Sequence, residues 1–95
     1  MIQNIINNYG NFFQNGTYSN GEPVLYKLCF YFACGGDDFA VFQQEGSDTY
    51  CVGHNVELDF NDFTCRWCWG HYDFATFEEA KSFCLHYFDD RAKIN

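Results

Sequence analysis

Residues 24–44 read VLYKLCFYFACGGDDFAVFQQ, two apolar runs on either side of a diglycine. The first run, Val24 to Cys34, has Tyr26, Leu28, Phe30, Phe32 and Cys34 on one side of an extended chain. Lys27, Cys29, Tyr31 and Ala33 fall on the other. This is the pattern of a central strand covered on at least one face. Gly35-Gly36 followed by Asp37-Asp38 predicts a hairpin turn, and Phe39 to Gln44 the returning strand.

Working outward toward the C-terminus, Glu45 to Asp48 (EGSD) predicts the next turn and Thr49 to Val52 the next strand. From Asn55 to Phe60 the alternation is clean, with Val56, Leu58 and Phe60 inward and Glu57 and Asp59 outward. This segment is a separate strand or a continuation of the one before. Thr64 to Tyr72, rich in aromatic residues, predicts another strand. Thr76 followed by Glu79 fits a capping box. Phe77, Ala80, Phe83, Cys84, Tyr87 and Phe88 then form an apolar stripe at helical spacing. Arg91 and Lys93 suit a helix C-terminus. Toward the N-terminus, residues 15–23 (NGTYSNGEP) predict a loop, with two Asn-Gly pairs and the sole proline. Ile2, Ile5, Ile6, Tyr9, Phe12 and Phe13 predict one face of a helix over residues 1–13. The expected fold is α+β: a single domain over 1–95, with an antiparallel sheet of three to five strands flanked by an N-terminal and a C-terminal helix.

Between Lys27 and Arg66 stand seven carboxylates and no cation: Asp37, Asp38, Glu45, Asp48, Glu57, Asp59 and Asp62. The whole chain carries a net charge of −8. That balance repels nucleic acid and anionic membranes as direct ligands and attracts basic surfaces. Aromatic residues make up 22% of the chain, more than so small a core can bury, so some rings should be exposed. Phe39, Tyr50 and Phe63, beside the carboxylates, are candidate anchors for a partner. The same exposed rings could also join two copies of the chain. The opening MIQNIINNYGNFF lacks a basic segment and a continuous apolar run, so no signal peptide is expected and the default location is the cytoplasm. Six cysteines in that setting are expected to be reduced thiols.

Motifs for chemistry are weak. Cys51-x-x-His54 and Cys65-x-x-Cys68, ten residues apart, could place four soft ligands around zinc, with His71 as a substitute. Arg66-Trp67 does not read as the tight turn a zinc knuckle needs, and on a strand Cys65 and Cys68 would face opposite ways. The expectation is therefore no metal and no cofactor. A redox reading of Cys65-x-x-Cys68 lacks the helix N-terminus that lowers a thiol pKa. The Asp59-x-Asn61-Asp62 segment lacks the glycine and the final glutamate of a calcium loop. No catalytic residue is assigned, and the protein is expected not to be an enzyme.

The profile of size, acidity, helix–sheet–helix order and absent enzyme motifs resembles the small acidic inhibitors of phages and mobile elements, including anti-CRISPR proteins. The resemblance covers the whole chain without a matching motif. It implies a non-enzymatic inhibitor that binds a basic nucleic-acid-handling protein, a CRISPR-Cas nuclease or complex, and blocks nucleic-acid access as a DNA mimic would. The alternative is a zinc-stabilised or metal-free protein-interaction module of cellular origin.

Overall fold

The fold begins where Gly35 and Gly36 turn the chain through 180°. Both take positive φ (+60° and +88°), which residues with a side chain resist. The two apolar runs therefore pair as an antiparallel hairpin, β2 (Pro23–Cys34) with β3 (Asp37–Gln44). The computed structural model describes residues 2–94, with side chains from 3 to 87. Around the hairpin it places α1 (Ile2–Asn7), β1 (Phe12–Thr17), β4 (Tyr50–Asp59), β5 (Thr64–Phe74) and α2 (Phe77–Ile94). The five strands follow one another in chain order as an antiparallel meander. A parallel step between β1 and β5 closes it into a barrel at one residue pair, Gln14 with Thr64. The α+β class, the antiparallel sheet and both flanking helices match the sequence expectation.

The two segments weighed separately over 49–60 are one strand, β4. The helix expected over 1–13 is much shorter. Asn7 and Asn8 are weak helix formers, and their side chains bond locally instead: Gln3 Nε2 donates to Asn7 Oδ1 and Asn8 Nδ2 to the Asn4 carbonyl. Gly10 then takes a φ of +91° and the chain straightens. Phe12 and Phe13 are strand residues pointing to opposite sides, one exposed and one wholly buried. The loop expected over 15–23 loses both ends, Asn15–Thr17 to β1 and Pro23 to β2.

The sheet buries two apolar layers, one on each face. Inside the barrel lie Phe13, Leu28, Ala40, Phe42, Cys51 and Cys65, with Ile5 of α1 joining them. On the outer face Phe39, Val41 and Val52 pack under Ala80 and Cys84 of α2, with Phe77, Phe83 and Tyr87 half-buried around them. Each large side chain removed from water in this way contributes about 1.5–3 kcal/mol. Phe88, Arg91 and Lys93 lie outside the described side chains.

Strand β2 serves both layers because of a bulge. Leu28 pairs with Phe42 and Phe30 with Val41, so Cys29 and Phe30 together oppose one residue. The single-sided row from Tyr26 to Cys34 is therefore broken. Leu28 and Tyr31 face the barrel, while Cys29, Phe30 and Phe32 face α2. Thr76 caps α2 as expected, accepting from the Glu79 amide at 3.1 Å.

Candidate functional site

The seven carboxylates do not form one row. Asp37 and Asp38 open β3, whereas Glu45 and Asp48 lie in the turn beyond its far end. The β4–β5 hairpin carries Glu57, Asp59 and Asp62 on the same end as Asp37 and Asp38. Asp38 shows this directly, because its Oδ1 accepts from the Val56 amide at 2.8 Å. Five of the seven thus lie toward the end of the sheet where β3 begins and β4 passes into β5.

Their roles differ. Asp38 is half-buried and structural, since its Oδ2 also accepts from the Tyr31 hydroxyl at 2.7 Å. Burial, and then that hydrogen bond, push the Tyr31 phenol well above its ordinary range. Asp59 is exposed and accepts from the amides of Asp62 and Asn61, which hold its carboxyl below the usual range. It is therefore a fixed negative charge. Glu57 pairs with Arg66 across the hairpin, both side chains largely in solvent. Arg66 is the sole Lys or Arg between Lys27 and Lys81, so this pairing leaves Asp59 and Asp62 beside it with no second cationic residue in that stretch.

The anchor residues divide as well. Phe39 is wholly buried, stacked on His54 beneath α2, so it is not a surface anchor. Its position on β3 faces the outer layer, which the hydrophobicity of α2 closes. Tyr50 is half-buried against Phe77. Phe63 keeps 41% of its surface exposed at the hairpin turn, braced on Phe13 at 5.4 Å. Sequence reading missed Trp69 and Tyr72 on β5, exposed by 40% and 58%. Their signal was present in the alternation of β5, but Trp67, Trp69 and Tyr72 cannot all face one way. Trp67 takes the inward position, packing on Phe42 and Tyr26 and covering Gly53.

The zinc set does not come together. Cys51 and Cys65 point into the barrel, His54 sits on the α2 face of the sheet, and Cys68 is exposed. Among the described residues, no group of three or more His, Cys, Asp or Glu is placed to hold a metal ion. Burial, the largest cause, pushes the thiols of Cys51, Cys65 and Cys84 up to about 12, which leaves almost no thiolate at neutral pH.

His54 is a buried imidazole near the acidic end. Its ring stacks on Phe39 at 4.5 Å and meets the edge of Trp69 at 4.2 Å. The Asp37 carboxylate lies 3.6 Å from Nε2, too far for a hydrogen bond. His54 and Cys51 lie on opposite faces of the sheet, so they form no nucleophile pair. No described helix is long and apolar enough to cross a membrane. Comparisons with protein-family models, with curated proteins and with solved structures found no match, so this acidic, aromatic-flanked end is interpreted from its own geometry.

Proposed function

We propose that this protein is a non-enzymatic binder of a basic, nucleic-acid-handling protein, a CRISPR-Cas nuclease or complex, and that it obstructs nucleic-acid access. One observation carries the reading: five carboxylates stand toward one end of the sheet with a single guanidinium among them. A solubilising surface normally mixes both signs. A one-signed end steers a basic groove toward it, and the exposed rings of Phe63 at the hairpin turn and Trp69 against His54 supply area for residence once docked. The partner in this reading is protein; direct nucleic-acid and membrane binding are disfavoured by the charge of −8. The reading places the protein in the cytoplasm with that partner.

The test uses purified CRISPR-Cas effectors with stopped-flow association and a DNA-cleavage readout. Asp37, Glu57, Asp59 and Asp62 are reversed together to Lys. Asp38 is spared because it holds Tyr31 and Val56 in place. The reversal should slow association by about tenfold or more and flatten its salt dependence, with the fold retained. An unchanged association rate and salt slope would reduce the acidic end to a solvated face.

A further inference from the structure

Strand β5 runs for eleven residues, and its two edges are treated differently. β4 follows one edge from Asp59↔Thr64 to Tyr50↔Phe74. On the other edge β1 meets it only at Gln14↔Thr64, where the Gln14 amide donates to the Phe63 carbonyl at 2.8 Å. Beyond that pair β1 leaves. Its register with β2 shifts between Gln14 and Thr17, and Gly16 takes a φ of +78°. Beyond Cys65, the outward backbone groups of β5 have no strand partner among the described residues. A groove of about 810 Å³ opens at the divergence, lined among others by Asn15, Gly16, Glu57, Asp59, Thr64 and Arg66.

A row of unpaired N–H and C=O groups beside a groove is the chemistry that takes up an extended chain, since main-chain bonds supply affinity and alternate side chains specificity. Charge selects the occupant. Glu57, Asp59, Asp62 and Asp73 stand along this hairpin against Arg66 alone, which is already paired with Glu57. A second copy would bring the same carboxylates edge to edge, a destabilising arrangement. Trp69 and Tyr72 lie farther along β5 with much of their rings in solvent.

We infer that the free edge of β5 receives an extended, lysine- or arginine-bearing segment of a partner protein as an added strand at the β1–β5 seam. This rests on the proposed role as a binder of basic proteins and adds how the partner is gripped. The probe is a peptide alternating lysine and valine, with two variants N-methylated on alternate residues in opposite phase. In an added strand, one phase faces β5 and the other faces solvent. The expected result is that the parent binds and protects the outward-facing amides between residues 66 and 72 from exchange. One methylated variant should then bind at least about tenfold more weakly, while the other binds as the parent does. Equal binding by all three would overturn strand addition while leaving charge-led binding intact. Loss of binding by both variants equally, or no binding by the parent, would also overturn it. So would a dimer of the free protein with these amides already protected. The association test with CRISPR-Cas effectors is read separately and decides the broader role.

Discussion

Asp38 shows how one side chain can look functional in sequence and be structural in space. It closes the gap where β3 begins and β4 runs on past it, taking the Val56 amide on the side facing β3, and the Tyr31 hydroxyl besides. Asp38→Ala should therefore lower stability by about 3 kcal/mol in urea unfolding, with Asp38→Asn losing roughly half as much. An Asp38→Ala loss below about 1 kcal/mol would return Asp38 to the binding surface. The thiols make a second prediction. In the unfolded chain they release protons near 9, but in the fold Cys51, Cys65 and Cys84 hold them to about 12. The unfolded state thus binds fewer protons in that window, and stability is full below pH 9 and falls as pH rises toward 12. Thermal midpoints measured across this range should decline progressively. Alkylation at neutral pH should label Cys34 and Cys68 first, because these two are exposed; early labelling of Cys84 would show that α2 opens readily.

At the scale of elements, the outer layer depends on α2 and the inner one on close approach at two glycines. Gly53 and Gly70 pair across β4 and β5 beneath the Trp67 indole. A β-carbon on Gly53 would stand 2.8 Å from the Trp67 ring. Gly53→Ala should cost about 1–3 kcal/mol and change tryptophan fluorescence as the ring is displaced. Phe83 is half-buried against Phe74, His71 and Tyr87, so Phe83→Ala should cost about 2 kcal/mol, less than a fully buried phenylalanine would. Elements with strong local signals were legible in the sequence: the β2–β3 hairpin through its diglycine, and α2 through its cap and stripe. The first thirteen residues were not, because Ile2, Ile5, Ile6, Tyr9, Phe12 and Phe13 fit a helical period while Gly10 divides them between a helix and a strand. The bulge at Cys29 left no signal either, since a run that is apolar on both faces looks the same in either phase. That is also why Phe39 read as a surface anchor: alternation does not say which face a helix will later cover.

At the scale of the molecule, the barrel ends are unlike. One carries Asp37, Asp38 and the acidic hairpin; the other has the turn with Glu45 and Asp48, where Gln44 Nε2 donates to the Tyr18 hydroxyl. Deleting Glu45 and Asp48 as charges, by mutation to Gln and Asn, should leave association with a basic partner within about twofold, whereas the opposite end should govern it. A large slowing would move the docking end. The two layers also give the chain an uneven tolerance to length change. Within β2, losing any one residue normally inverts every side chain that follows, driving Phe30 and Phe32 into the barrel and Tyr31 out of it. The bulge is the exception, and Cys29 is the smaller of its two residues. Removing it would leave Leu28 opposite Phe42, Phe30 opposite Val41 and Tyr31 opposite Ala40, as they already stand. The strand thus carries one surplus letter in its reading frame, and a lineage or an engineer could excise it and keep the phase of all its neighbours.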